Sequence, residues 1–370
     1  MLFYCQNLEY KHDGSLIINM EYTRLGKSGL KVSKIGYGNY AAADRKDDAL
    51  DAQLVKMAFE AGINFFDTAQ FYGLGFGEIS LGKALKALGV PREDYVVSTK
   101  IFWGAYPEFK LPKNVLGYNR KALMEGVNSS LKRLQMDYVD VLHLHRYDLS
   151  TSTEELCYGI KTLLEQGKIL YWGTSEWPAS RIMEAMLICD KIGCPRPIAD
   201  QCEYNLLVRN KVENEYVPLF DDYGLGTNVW SPLAMGILTG KYNDYTPQDS
   251  RFGATKNQEA LNIYFNSYLG DDRRAKVVGA INKMKAIAER EKTTAASLAL
   301  AWVITGNDVS TTWLGATSVK QFQENLNAYF NIKNLSKGTI KEVGDAFDTA
   351  PKRDLDFITW AEQPPRRTYN

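Results

Sequence analysis

Short apolar runs alternate with amphipathic stretches along the chain. The runs are KIGYG (34–38), INFFDTA (63–69), YVVSTK (95–100), YVDVLHLH (138–145), ILYWGTS (169–175), PIADQCEY (197–204), GTNVWS (226–231) and VSTTWLGAT (309–317). They are nearly continuous rather than alternating, which predicts strands buried on both faces, as in a parallel sheet. Between them apolar positions recur at helical spacing. From Asp48 onward, Leu50, Leu54, Met57, Ala58 and Ala61 mark one face, and Gly62 stands at the C-terminal stop. Ser152 with Glu155, and Ser318 with Gln321, read as capping boxes, and Pro178 as a first helical position. Residues 294–305 read as a buried helix stopped by Gly306.

Most steps from one strand end to the next have the length of a single β-loop-α unit. Eight such units predict an α/β fold, a closed (β/α)8 TIM barrel over residues 21–345. Residues 1–20 would be an N-terminal extension and 346–370 a C-terminal tail. The longest step runs from Ser231 to Gly315 and holds the polar segment KYNDYTPQDSRFGATKNQ (241–258). An insertion of that size is expected to be a functional loop or lid.

Composition narrows the function classes. Of 370 residues, 44 are Lys or Arg and 44 Asp or Glu, so nothing in the net charge directs the chain to nucleic acid or an anionic membrane. The cysteines are Cys5, Cys157, Cys189, Cys194 and Cys202. Their odd number and lack of a CxxC pair predict reduced thiols in the cytoplasm and no metal site. No apolar run approaches the ~18 residues of a transmembrane helix. The first twenty residues lack the basic and apolar regions of a signal peptide, and Met20 could serve as an alternative start.

Active sites of such barrels lie at the C-terminal ends of the strands. There the sequence places Asp67, Tyr72 just beyond it, Lys100 and His145. Taken singly, these would be a turn anchor, a packed ring, a solvated lysine and a core histidine. Their conjunction on three adjacent strands points to chemistry. His143 shares a face with His145 by the strand period of two and reads as barrel filling. A phenol is too weak an acid to protonate a carbonyl oxygen near neutral pH, and a nearby ammonium would lower its pKa. A carboxylate would fix the lysine, and a histidine could hydrogen-bond the substrate oxygen. Phe102 and Trp103 follow Lys100 and would wall an apolar substrate pocket. The chain has no GxGxxG: GLGFGE (73–78) fails the spacing and lacks a preceding strand. It also has no phosphate-binding GxxxxGKS/T.

DTAQFYG (67–73), STKIFWG (98–104), the strand ending in His145 and WSPLAMGILTGKY (230–242) together resemble the aldo-keto reductase superfamily over about residues 21–345. KIFWG, YWGTSEW (171–177), QCEYN (201–205) and LGATSVKQFQEN (314–325) resemble its branch of voltage-gated potassium channel β subunits. The resemblance implies an oxidoreductase that reduces aldehydes and ketones with NADPH, using Asp67, Tyr72, Lys100 and His145 as the catalytic tetrad. It implies cofactor contacts at Asn39, Tyr40 and Asp67, a carboxamide held by Ser175 and Gln201, and Trp230 stacked on the nicotinamide. Ser231, Leu233, Lys241 and Arg251 would line the pyrophosphate. Gly315, Thr317 and Gln321 would meet the 2′-phosphate end, and Glu324 and Asn325 the adenine. The channel branch typically has Asn where this chain has His145, which favours catalysis here. Glu176 stands where that branch commonly has Arg, and Asp249 replaces an aromatic residue. The branch also implies a homotetramer and a channel partner with the cofactor as redox sensor. The twenty residues before the barrel pattern are few for a pore-blocking segment.

Overall fold

The computed structural model describes residues 20–106, 110–248, 250–254 and 259–352. All of the N-terminal extension but Met20, most of the predicted tail and Asp249 lie outside them. A hairpin of β1 (Tyr22–Arg24) and β2 (Lys31–Ser33) comes first; the sequence pattern did not announce it. Then β3 (Ile35–Gly38), α1 (Tyr40–Arg45), α2 (Asp48–Glu60), β4 (Phe65–Asp67), α3 (Phe76–Ala87), β5 (Val96–Ile101) and α4 (Arg120–Leu134) follow. The next units are β6 (Val139–Leu144), α5 (Thr153–Glu165), β7 (Ile169–Thr174), α6 (Ala179–Ile192), β8 (Ala199–Asp200) and β9 (Gly226–Val229). The long step to β10 (Thr311–Leu314) is largely helical: α7 (Arg251–Ala254), α8 (Glu259–Leu269), α9 (Asp271–Arg290) and α10 (Ala295–Ile304). The helices α11 (Val319–Asn331) and α12 (Lys337–Phe347) complete the described chain.

The strands β3 to β10 form a closed barrel in sequence order, each parallel to its neighbours. This is the (β/α)8 TIM barrel the sequence predicts. All eight apolar runs contain a barrel strand, though PIADQCEY keeps only Ala199 and Asp200 in regular pairing. Side-chain alternation divides the core in two. Phe65 joins Val96, Val141, Ala199 and Trp313 in a cluster with Leu25 and Val32 of the hairpin. Phe66 belongs to the larger core shared with the surrounding helices. The Phe65 and Trp313 rings lie 4.5 Å apart. Gly36 admits that packing, since a Cβ there would sit 2.4 Å from the Trp313 ring.

Helix signals hold with local differences. Ser152 and Ser318 accept from the backbone N–H of Glu155 and Gln321. The return halves of the two capping boxes go elsewhere: Glu155 accepts from Arg120 N, and the Gln321 amide carbonyl accepts from Thr317. Pro178 is the capping residue of α6, one position before its first turn. Residues 294–305 contain α10, whose face is buried almost all round. Among the described residues no helix is long and apolar enough to cross a membrane. The described cysteines are free thiols.

Candidate active site

The C-terminal ends of β4, β5 and β6 bring Asp67, Lys100 and His145 together. Parallel register pairs Asp67 with Ser98 and Lys100 with His143, so the functional side chains of neighbouring strands emerge at similar heights. Lys100 is buried to 1% exposure, and its Nζ donates to Asp67 Oδ2 and, at 2.7 Å, to the Thr68 carbonyl. The other oxygen, Asp67 Oδ1, accepts from Ser98 Oγ at 2.6 Å and Gln201 Nε2 at 3.2 Å. An ammonium so deeply buried is tolerable only because it is paired and hydrogen-bonded. Burial pushes its pKa down, and Asp67 opposes that shift.

Tyr72 sits on the turn after β4, half-buried, with Lys100 Nζ 4.9 Å from its ring centroid. Its ring packs edge-on to Tyr40 at 4.9 Å and His145 at 6.0 Å. The expected lowering of its pKa by Lys100 is not what the structure gives. Packing around the phenol, and next the Asp67 carboxylate, raise its pKa well above the usual phenol range; Arg146 and Arg251 act the other way. The physical reason is burial: a hydroxyl taken out of water is held in its neutral form, and the Asp67 carboxylate adds to the cost of a phenolate. The resting tyrosine is firmly protonated.

His145 is buried and its Nδ1 has no hydrogen-bond partner among the described residues. Burial, with help from Lys100 and Arg146, holds its pKa well below the usual imidazole range, so it is neutral. Trp103 covers it with ring centroids 4.7 Å apart, and Phe71 packs on Trp103 at 5.4 Å. Phe102 instead turns to Tyr118 at 5.3 Å and to the core, so Trp103 faces the site more directly than Phe102 does. His143, two residues earlier, is bound at both nitrogens and fills the barrel as predicted.

The further predicted residues follow the ends of β3, β7, β8, β9 and β10 along the chain. Ser175 Oγ donates to the Gln201 carbonyl at 2.8 Å, and Gln201 reaches Asp67. Arg251 lies 4.8 Å over the Tyr40 ring. Asn39 faces inward: its Nδ2 donates to Asp51 Oδ2 at 3.0 Å and Gly77 O at 2.7 Å, while its Oδ1 is buried without a partner. The Trp230 indole N–H donates to Glu176 Oε1 at 3.0 Å. Ser231 Oγ accepts from Met235 N at 3.0 Å, the Leu233 carbonyl accepts from Gly236 N, and Lys241 Nζ lies 5.0 Å from the Tyr242 ring. Gly315 follows β10, where a Cβ would stand 2.8 Å from Gly38 O. Thr317 and Gln321 are bonded to each other at the start of α11, and Glu324 is exposed further along it beside half-buried Asn325.

Of the residues at the mouth, Glu176 stood out in the sequence only as a departure from the channel branch, and Glu203, Asn205, Tyr264 and Tyr268 did not stand out as site residues. Glu176 accepts from Trp230 and from the backbone N–H of Glu203, and pairs with Lys211 at 3.2 Å. Glu203, its pKa raised to about 7 chiefly by burial, is bonded by Tyr268 Oη and Asn205 Nδ2. Tyr264 of α8 packs on Trp230 at 6.0 Å, so the long insertion covers one side of the mouth. Arg146 was legible only as the neighbour of His145.

Comparison with known proteins agrees with this geometry. The pattern described as "Aldo/keto reductase family" matches residues 34–346. The chain belongs to the aldo/keto reductase family. It is 42% identical over 340 residues to a "Probable voltage-gated potassium channel subunit beta" of Arabidopsis thaliana, covering 91% of this chain and all of that one. A protein of the same description from Oryza sativa subsp. japonica is 41% identical over the same shares. A "Putative voltage-gated potassium channel subunit beta" of Schizosaccharomyces pombe is 40% identical, covering 90% of this chain and 95% of that one. Family membership marks the chain as an oxidoreductase, in a family that generally uses NAD(P)H.

Proposed function

We propose that this protein is an NADPH-dependent reductase of aldehydes and ketones in which Tyr72 donates the proton. The observation that carries the reading is the Lys100–Asp67 pair buried against the Tyr72 ring, beside a neutral histidine with an unbonded ring nitrogen. Tyr72, held in its acid form, delivers a proton from Oη to a carbonyl oxygen. Once that proton leaves, the Lys100 ammonium limits the cost of the phenolate, and Asp67 keeps the ammonium in place. The neutral imidazole of His145 can donate a hydrogen bond to the same oxygen and so orient the carbonyl. Trp103, with Phe102 behind it, gives that carbonyl an apolar wall.

A reduced nicotinamide, when bound, supplies the hydride. The mouth suits such a group: Glu176, Ser231, Ala234 and Met235 are non-glycine residues held at φ 60°, 56°, 47° and 54°. Backbone strain of this kind collects where a ligand must be met in a fixed shape. Asn39, Tyr40, Asp67, Ser175, Gln201 and Trp230 would hold the nicotinamide end. Ser231, Leu233, Lys241 and Arg251 would follow the pyrophosphate, and Gly315, Thr317, Gln321, Glu324 and Asn325 the adenosine. The start of α11 suits an anion, which supports NADPH over NADH.

The test is NADPH oxidation by absorbance with 4-nitrobenzaldehyde, wild type beside Tyr72→Phe. Turnover that falls about a hundredfold or more in the variant supports the assignment; equal rates would sink it. The names of the three relatives favour a second reading, a cytoplasmic, tetrameric channel β subunit whose cofactor reports redox state. NADPH bound tightly without turnover of any aldehyde supports that one.

A further inference from the structure

Arg146 follows His145 at the barrel mouth and is half-buried. Its Nη1 donates to the His145 carbonyl at 2.6 Å and reaches Ser175 Oγ at 3.5 Å. The guanidinium lies 5.7 Å from the Trp103 ring centroid, and its charge acts on the Tyr264 phenol of α8. The loops after β5, β6 and β7, together with α8, therefore hold one cation beside the imidazole that would orient a carbonyl.

Its charge is not cancelled locally. Lys100, the other cation at the centre, is neutralised by Asp67. Among the described residues no carboxylate stands within ion-pair distance of Arg146. Glu203 acts on it electrostatically, but its Oε1 is already taken by Tyr268 and Asn205. The field of Arg146 reaches the reacting groups, favouring phenolate at Tyr72 and disfavouring charge on His145. A guanidinium carries five N–H donors, and the bonds above leave several unspent. Held between aromatic rings with no counter-charge, it loses hydration that an incoming anion would offset. Its planar fork matches a carboxylate with two parallel bonds.

We propose that Arg146 is a substrate anchor, and that the site takes carbonyl compounds that also carry a carboxylate. This rests on the reductase reading above and adds the substrate class to it.

The experiment compares kcat/KM for 4-carboxybenzaldehyde and 4-nitrobenzaldehyde in wild type, Arg146→Met and Arg146→Lys. Benzoate is also titrated calorimetrically into the NADPH-loaded proteins. Wild type is expected to favour the carboxylated aldehyde about tenfold or more, through KM, as one charge-assisted pair allows. In Arg146→Met the ratio falls to near one, and in Arg146→Lys it recovers in part, because lysine keeps the charge and loses the fork. A wild type without the preference, or a ratio the same in all three proteins, overturns the proposal. If no aldehyde is turned over, the reductase reading fails and benzoate decides alone. Binding lost in Arg146→Met and partly kept in Arg146→Lys upholds the anchor, and equal binding throughout removes it.

Discussion

His143 lies within β6 and His145 two residues on, just past its end, and they occupy different regions of the barrel. At the lower level His143 Nδ1 meets the Thr174 carbonyl at 3.1 Å, and its Nε2 meets the Asn228 amide at 2.9 Å. Thr174 in turn donates to Asp200 at 2.6 Å, so both nitrogens of His143 are answered within the chain, although Asn228 Oδ1 beside it is buried without a partner. At the upper level His145 keeps Nδ1 unbonded, and the turns after β7 and β9 hold non-glycine residues at positive φ. The same side chain is barrel filling where both its nitrogens are answered by the protein, whereas at the upper level one nitrogen stays buried and unanswered. Depth along the strand, rather than residue type, makes the difference.

The sharpest way to break this contrast is to remove the ion pair on which the upper layer stands. Lys100→Met leaves Asp67 buried without its counter-charge. Turnover should fall by about a thousandfold, within the span general acid–base groups supply. Stability measured by urea unfolding should fall by about 3–5 kcal/mol, the usual cost of orphaning one member of a buried pair. The double variant Lys100→Met/Asp67→Asn should recover most of that stability and none of the turnover. Recovery of both would mean the pair is only structural.

Next in size is an exchange of roles between the histidines. His145→Ala should lower kcat/KM about a hundredfold with a small effect on unfolding. His143→Ala should cost about 2–4 kcal/mol, through a cavity and an unanswered Asn228 amide. The lower layer also carries a pH signature. Burial, chiefly, pushes the His143 pKa down to about 3. The unfolded chain therefore binds a proton below about pH 6.5 that the folded chain refuses. The contribution of His143 to stability is full above that pH and is lost as pH falls toward 3, by about 1.4 kcal/mol per pH unit. Glu203, raised to about 7, acts with the opposite sign as pH rises from its unfolded value. The slope must therefore be read as wild type minus His143→Asn. No difference in slope between pH 6 and 4 would contradict the sealed lower layer.

The barrel was legible because both-face burial writes itself as continuous apolar runs, and the step length between them fixes the unit. The hairpin of β1 and β2 was not, since YTR and KVS are too short to show a period. Asp67, Lys100 and His145 stood out because each lies at or beside the end of a recognisable strand, with Tyr72 on the turn after β4. The Glu176, Glu203, Tyr268 and Asn205 network could not. Its members come from two βα loops and α8, and only the closed barrel brings them together. The direction of the Tyr72 shift escaped for a related reason. Sequence places a lysine and a carboxylate near the phenol, but not the packing whose burial of the hydroxyl outweighs them.

The smallest expected effect lies in that network. Glu176 sits at φ 60° and accepts from both the Trp230 indole and the Glu203 N–H. Two roles can be separated there, a charge paired with Lys211 and an acceptor that fixes Trp230. Glu176→Gln removes the first and keeps an amide oxygen for the second. Because the Glu176–Lys211 pair is partly exposed, its loss should cost no more than about 1 kcal/mol, and NADPH affinity should stay within about threefold. Glu176→Ala removes both and leaves the indole free to turn, so NADPH should bind about tenfold more weakly. Equal affinity in the two variants would show that Trp230 is held by its packing on Tyr264 alone. Equal weakening would show that charge, not orientation, is what Glu176 brings to the upper layer.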